Sequence, residues 1–259
     1  MWITGGVVIL CIIITGVMVF PGISNITNAR TVGDLPLPLG FERVEAKPGS
    51  FAAWVRALPL KPLGTPLTYY NAQSPDKCGK WARWQCLNAA VLDIPRWGSN
   101  EDCAAAAMRL RAEYLFAEKR YSDIRFRNTN GQILTYTGGN DKKTLERFVR
   151  KAYGCCYTGT LVKQMPKRKL SEVQPGDMFV YTKGKGRKMG HAITVGDVAI
   201  NPRTGAKALL LIESNYPNRN LHVIRNISLR SMYWHIINID KEDQLFNLIH
   251  YHSNELYHW

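Results

Sequence analysis

The sequence has few acidic residues: 20 Asp and Glu stand against 34 Lys and Arg, so the formal net charge is +14 over 259 residues. It also lacks internal repeats, heptad runs and low-complexity tracts. Together with 46% hydrophobic residues, this composition excludes a disordered tail, a collagen-like chain and a bundle of membrane helices. Six cysteines are too few for a miniprotein held together by disulfides. The positive charge favours anionic partners, namely nucleic acid, anionic lipid or cell-wall polymers.

Residues 3–20 contain no charged side chain. As a helix this run would be about 27 Å long, close to the thickness of a bilayer core. A cleaved signal peptide usually has a basic residue before the apolar run and a small-residue cleavage site after it, whereas here Pro21 and Gly22 follow directly. We therefore expect an uncleaved single-pass anchor over residues 1–22 and a tether over 23–39. The membrane is then one partner, and the folded domain lies outside the cytoplasm.

Hydrophobic spacing and turn residues predict helices in the first part of the chain and strands in the second. The predicted helices are 51–58, 101–118 (with Ser99 or Asn100 as N-cap) and 142–153. The predicted strands are 66–71, 89–94, 124–128, 132–137, 178–182, 191–200, 208–214, 222–226 and 233–239. This order indicates an α+β domain over residues 40–240 with an antiparallel sheet. Residues 241–259 form a tail that is predicted to be helical first and aromatic at its end, packing on the domain or contacting membrane or a protein partner.

Four polar residues could together carry chemistry. Cys103 opens a predicted helix, His191 starts a strand, and Glu213 and Asn215 lie at the end of the next strand. A helix N-terminus and a nearby imidazolium both favour the thiolate, which is the nucleophilic form of cysteine. His191 would exchange a proton with Cys103 and deliver it to the leaving group. Glu213, or less favourably Asn215, would accept the other ring N–H of His191 and fix its tautomer.

The same cysteine also has a simpler interpretation. Cys103, Ala107, Leu110 and Tyr114 fall on one face of the predicted helix, so Cys103 could be a buried core residue. The pair Cys155-Cys156 is a competing nucleophile, but it follows a predicted helix end, where the dipole gives no help to a thiolate. A structural role is the better hypothesis for that pair.

A cysteine pair, a basic loop and three histidines bear on disulfides, partners and metals. Cys78 and Cys86 are expected to form a local disulfide, since their spacing suits zinc poorly and no second ligand pair is present. The basic loop 183–188 precedes His191 and is expected to be a solvated turn. If the site is real, the loop borders its entrance and would attract an anionic polymer. No nucleic-acid-binding motif is present. No metal or cofactor is expected, since no arrangement of Asp, Glu or Cys completes a metal site with the three histidines near the end of the chain, His250, His252 and His258.

The order of these motifs resembles a group of cell-wall hydrolases. Cys103, then Gly176-Asp177, Gly190-His191 and finally Glu213 with Asn215 follow the pattern of the NlpC/P60 and CHAP enzymes. In that group a cysteine at a helix start, a histidine on a strand and a following polar residue cut peptidoglycan peptides. The resemblance implies a papain-like fold. The 88 residues between Cys103 and His191 are more than the group leads us to expect, which implies an inserted hairpin and helix.

A longer resemblance covers most of residues 36–235. The stretches that carry it are 38–44, 49–52, 58–62, 90–94, 103–104, 108–115, 190–192 and 222–223. They are similar to an uncharacterised bacterial envelope family, domain of unknown function 4846, whose members often look like lipoproteins. The resemblance implies a periplasmic location and argues against nucleic acid, but it implies no reaction. Two features depart from the family pattern: the Cys78–Cys86 segment looks inserted, and Glu213 stands where the relatives have Gln, which would also orient a histidine.

Three functional hypotheses follow. The first is a membrane-anchored cysteine hydrolase that cleaves peptide or amide bonds of peptidoglycan. The second is a non-catalytic envelope protein that binds cell-wall material. The third is a subunit of a membrane complex, assembled through the C-terminal tail.

Overall fold

The computed structural model describes residues 28–69, 90–184, 186–216, 218–226, 231–241, 243–246 and 249–259. Most of the predicted anchor and tether, and the predicted Cys78–Cys86 disulfide, lie outside these residues. Within the described ranges, no helix combines the length and the apolar character needed to cross a bilayer.

The described chain is a mixed α+β structure with a large antiparallel sheet, as predicted. Its helices are α1 (Phe51–Arg56), α2 (Cys103–Ala117), α3 (Lys142–Tyr153) and α4 (Thr158–Gln164). Its strands are β1 (Glu42–Arg43), β2 (Ala90–Val91), β3 (Arg125–Arg127), β4 (Ile133–Thr135), β5 (Met178–Tyr181), β6 (His191–Ile200), β7 (Lys207–Glu213), β8 (His222–Val223), β9 (Trp234–Ile237), β10 (Asp243–Phe246), β11 (Ile249–His252) and β12 (Leu256–Tyr257).

The sheet is organised around the long strand β6. Its order is β12-β5-β6-β7-β8-β2, with β1 added to β6 and β9 added to β7. A bulge between Val195 and Asp197 interrupts the pairing of β6 with β7. The buried Asp197 carboxylate accepts hydrogen bonds from Arg43 and Arg56, which ties β1 and α1 to the middle of β6. The middle of β6 is thereby held by contacts with β1 and α1.

Alternating side chains of the central strands fill two separate cores. Ala192 and Leu210 point to the face covered by the helices and join a cluster that includes Leu110. Ile193 and Leu211 point to the opposite face and join a second cluster. Because successive residues of a strand face opposite sides, Ile193 and Val195 belong to the face away from α2, whereas His191, the first residue of β6, stands at the end of the strand, where the first residue of α2 reaches it.

The C-terminal tail differs from the prediction. Instead of a helix, residues 243–246 and 249–252 form the antiparallel strand pair β10–β11, and Leu256 pairs with Phe179 of β5. Phe246 and Tyr251 are buried and pack their rings against Phe179. Apolar residues at positions 245–246 and 248–249 fit a helical spacing locally, but the hairpin buries aromatic rings on the second sheet face. The tail therefore packs on the domain as one of its layers.

The N-cap of helix α2 lies two or three residues later than the predicted caps, and the helix begins two residues later than predicted. Asp102 is the N-cap, and its carboxylate accepts a hydrogen bond from Ala105 N at 3.0 Å. Predicted caps Ser99 and Asn100 lie in the preceding turn. The four alanines that follow Cys103 are all buried, which lets the helix lie close to the sheet. Cys103 is consequently the first residue of a helix in the core.

Candidate active site

Three polar side chains form a row across adjacent strands. The pairing of Thr194 with Ile212 sets Glu213 on the same face of the sheet as Ile193, and hence as His191. On the next strand, His222 lies directly opposite Glu213. The row His191–Glu213–His222 thus crosses β6, β7 and β8 where β7 ends.

Glu213 lies between the two imidazole rings. His191 Nε2 donates to Glu213 Oε2 at 2.8 Å, while Glu213 Oε1 lies 3.6 Å from His222 Nε2. On its other side, His222 Nδ1 donates to the Asn220 carbonyl at 2.8 Å. His191, Glu213 and His222 are 4%, 2% and 1% exposed. Glu213 is therefore fixed from both sides and holds the orientation of the His191 ring.

The start of α2 is anchored beside this row. The Ser214 hydroxyl, one residue after Glu213, donates to the Glu101 carbonyl at 2.9 Å. Two residues after Glu101, Cys103 lies close enough to the His191 ring to act on its pKa. Nε2 of that ring is taken by Glu213, so Nδ1 is the nitrogen available to a thiol. The start of α2 therefore places Cys103 beside the His191–Glu213 pair.

The electrostatics of the row favour a charged histidine. Burial acts to lower the pKa of His191, but hydrogen bonds and charges from Cys103 and Glu213 outweigh it and raise the pKa to about 10. Burial acts to raise the pKa of Glu213, yet the hydrogen bond from His191 and the nearby His222 ring hold the pKa of its carboxyl well below the usual range. Near neutral pH the row contains an imidazolium beside a carboxylate.

Other predicted site residues are placed differently. Asn215 lies beyond the end of β7, where its side-chain oxygen accepts from Tyr216 N at 2.7 Å, and none of its described contacts reaches His191. Cys155 and Cys156 are free thiols with their sulfurs 4.0 Å apart. Burial, followed by the effect of Cys155, raises the pKa of the Cys156 thiol to about 12. The competing pair therefore lacks a partner that would stabilise a thiolate.

The turn before β5 has a structural role. Asp177 is fully buried and accepts hydrogen bonds from Gln174 N at 2.9 Å and from His258 at 2.6 Å. Arg168 lies 3.2 Å from the same carboxylate. Asp177 thus closes the turn and fastens the C-terminal strand to it, as expected for an aspartate after Pro-Gly.

The sequence-based prediction of the site did not include His222, which belongs to the row, or Tyr181, which lies beside it. His222 supports Glu213 from behind, and the only signal for it was its occurrence in the longer family resemblance. Tyr181 pairs directly with His191 across β5 and β6, with ring centroids 6.2 Å apart. The Arg187 guanidinium stacks 4.0 Å from the Tyr181 ring and also binds Glu255. The basic loop that contains Arg187 therefore borders the row.

Gly190 brings α4 against the strand start. A Cβ at this position would lie 2.2 Å from the Thr158 hydroxyl and 2.9 Å from the Tyr181 carbonyl, so a larger residue would push His191 out of place.

In the described part of the chain, no group of three or more His, Cys, Asp or Glu side chains is placed to hold a metal ion.

One family model matches the chain over residues 33–138 and 135–255. Its description is "Domain of unknown function (4846)", and the two segments together span most of the sequence. The chain belongs to this family. The family resemblance inferred from the sequence is thereby confirmed. No curated protein and no solved structure matches the chain, so the family contributes no reaction and the site is interpreted from its own geometry.

Proposed function

We propose that this protein is a cysteine hydrolase with a papain-like arrangement of its catalytic groups, acting on peptide or amide bonds of peptidoglycan at the cell envelope. The observation that carries the proposal is the chain Cys103–His191–Glu213. A cysteine at the first residue of a helix lies beside an imidazole whose Nε2 donates to a buried carboxylate at 2.8 Å. A nucleophile, a base and an orienting group of these types support the proposal of a catalytic triad.

Each group has a defined step in the reaction. The Cys103 thiolate, stabilised by the imidazolium and the helix N-terminus, attacks the carbonyl carbon and forms a C–S bond. The imidazolium of His191 then donates its proton to the leaving nitrogen as the C–N bond breaks. Water, deprotonated by the now neutral His191, adds to the thioester carbonyl; the C–S bond breaks, the carboxylic acid product leaves, and the thiolate and the imidazolium are regenerated. Glu213 stays ionised throughout, holds the ring and stabilises its charge.

Backbone N–H groups of the first turn of α2 supply the oxyanion donors. Cys103 N–H and Ala104 N–H point out of the helix end, because the first N–H groups of a helix have no intrahelical acceptor. An oxyanion formed on the substrate carbonyl beside the Cys103 sulfur would accept from them.

The surroundings of the row suit a peptide on an anionic polymer. Met189 and Tyr216, in the segments that flank His191 and Glu213, are 54% and 65% exposed. Tyr157 next to α4 is also exposed. These apolar side chains offer contacts for a peptide, while Lys183 and Lys188 of the basic loop attract negative charge. The uncharged run 3–20 would anchor the domain to the membrane, with this face in the periplasm.

Digestion of purified, cross-linked peptidoglycan with the full chain tests the proposal. We expect release of peptide fragments, and mass spectrometry of the products should reveal one type of new amino terminus and one type of new carboxyl terminus. The absence of new termini after prolonged digestion, under conditions where the protein stays folded, would refute a hydrolase acting on this polymer.

A second candidate function is supported by the burial of the row. Cys103 is only 7% exposed and His191 only 4%, which favours a non-catalytic protein that binds cell-wall material. The digestion experiment separates the two functions, because that protein would sediment with peptidoglycan and leave every bond intact.

A further inference from the structure

Two arginines of α2 have opposite surroundings although they are two positions apart. Arg109 is buried and paired with Glu101 at 2.8 Å and Glu113 at 3.1 Å. Arg111, in contrast, contacts no carboxylate among the described residues. Its guanidinium lies instead between two aromatic rings, 5.7 Å from the centroid of Tyr114 and 5.8 Å from that of Trp259.

A cleft of about 440 Å³ opens at this guanidinium. It lies where the start of α1, the turn before β5, α2 and the end of the chain meet, and none of the residues of the catalytic row lines it. Lys47 and Arg120 also line the cleft, and Glu45 is the acidic residue among the lining side chains. Arg120 is already paired with Asp123 at 2.7 Å. Among the described contacts, Arg111 and Lys47 are the cations of the cleft that have no carboxylate partner, and of these two Arg111 lies between aromatic rings.

The protonation behaviour of Arg111 agrees with this geometry. Burial, and then the nearby charge of Arg120, lower the pKa of the Arg111 guanidinium. The carboxylates of Glu113 and Glu101 have the opposite effect on Arg109, and despite its burial they raise the pKa of that guanidinium. A half-buried cation without an anion is costly, and an anionic ligand would remove the cost.

We propose that this cleft binds an anionic sugar, with Arg111 holding its carboxylate or phosphate and the Trp259 ring lying against the sugar. A guanidinium presents two parallel N–H donors that match either anion. Trp259 is half-buried and offers an apolar surface, while the side chains of Ser50 and Gln174 line the same cleft and can bind hydroxyl groups. The site is separate from the proposed hydrolase and does not depend on it.

Calorimetric titration of the full chain in detergent tests this site with glucuronate, glucose 6-phosphate, glucose and inorganic phosphate as probes. We expect at least one of the two anionic sugars to bind tenfold or more tightly than glucose. Binding that is equal for glucose and both anionic sugars would overturn the role of the anion. Phosphate binding as tightly as glucose 6-phosphate, with no binding of glucuronate, would overturn the role of the sugar.

Variants assign the binding to Arg111. Arg111→Met keeps the apolar stem, and we expect it to weaken binding of the anionic sugar at least tenfold. Arg203→Met, in the exposed loop between β6 and β7, is the matched control and should bind like wild type. Unchanged affinity of Arg111→Met would overturn the proposal.

If Arg111→Met does not fold, Arg111→Lys replaces it, since lysine keeps the charge but loses the paired donors. We expect Arg111→Lys to bind the anionic sugar more weakly than wild type, and equal binding would contradict the proposal. Repeating the titration with Cys103→Ala, which should bind normally, separates this site from the hydrolase.

Discussion

Replacement of Cys103 by alanine is expected to lower the rate of peptidoglycan cleavage by about 10⁴-fold or more, since the nucleophile is lost and only binding and oxyanion stabilisation remain. The fold should survive. Cys103 is followed by four buried alanines in α2, and alanine is the best helix former. The measurement is the initial rate of release of new amino groups from peptidoglycan, with circular dichroism to verify the fold.

Cys156 provides the matched control for this substitution. It is buried to a similar extent, 4% exposed against 7% for Cys103, but its sulfur lies beside another thiol and not beside a histidine. Cys156→Ala should therefore cleave at the wild-type rate. Cleavage by Cys103→Ala at a rate close to that of wild type would exclude Cys103 as the nucleophile.

Substitutions of Glu213 are expected to separate its charge from its orienting role. Glu213→Gln keeps an oxygen that can accept from His191 Nε2, so we expect the cleavage rate to fall about tenfold; Glu213→Ala removes the acceptor as well, and we expect a loss of about 10²–10³-fold. In both variants the pKa of His191 should fall below about 10, because the carboxylate charge that raises it is lost while burial still favours the neutral ring. Measurement combines the cleavage rates with an NMR titration of the His191 ring.

The same pair makes the stability of the protein depend on pH. The pKa of His191 is raised in the folded state, so its contribution to the free energy of unfolding is complete below the ordinary value of 6.5 and disappears as the pH rises through about 10. The pKa of Glu213 is lowered, so its contribution is present above the ordinary value of 4.5 and is lost in acid. Urea midpoints of wild type should therefore fall between pH 7 and pH 10, and those of Glu213→Gln should fall less.

Glu172→Gln is the control for the Glu213 series. Glu172 is exposed in the segment before β5, so its substitution should leave the cleavage rate, the His191 titration and the urea midpoints unchanged. A His191 pKa that stays near 10 in Glu213→Ala would contradict the role given to the carboxylate.

Local sequence signals predicted most of the regular elements and few of the contacts between distant segments. Of the predicted strand 66–71, the described residues 66–69 form only an isolated bridge at Tyr69. The limits of α3 and β6 agree with the prediction because caps, turns and apolar spacing lie within each segment. Helix α4 was missed: its N-cap is Tyr157, which makes no side-chain cap bond of the usual Ser, Thr or Asp kind, and two Thr and a Gly open it. Local apolar spacing predicted a helix in the tail. The observed strands depend on the burial of Phe246 and Tyr251 against Phe179, which is far away in the sequence and gives no local signal.

Some residues of the site could be predicted from local sequence, and others depend on the pairing of distant strands. Residue types and their order suggested that Cys103, His191 and Glu213 would meet, and the structure brings these three together, while their catalytic roles stay predictions. Asn215 was a reasonable alternative from sequence because alternation along β7 puts Glu213 and Asn215 on the same side, but the strand ends at Glu213. His222 could not be found locally, since its place behind Glu213 depends on the pairing of β8 with β7.

The alkylation rates of Cys103 and Cys156 by iodoacetamide in the folded full chain at pH 7 test the central claim most directly. The two thiols are similarly buried, so the comparison isolates their chemical surroundings. With His191 beside Cys103, and with the pKa of the Cys156 thiol raised to about 12 by burial and Cys155, we expect Cys103 to react at least ten times faster, and His191→Ala to remove most of that difference. Equal rates for the two thiols in wild type, or an unchanged rate for Cys103 in His191→Ala, would contradict a thiolate activated by His191.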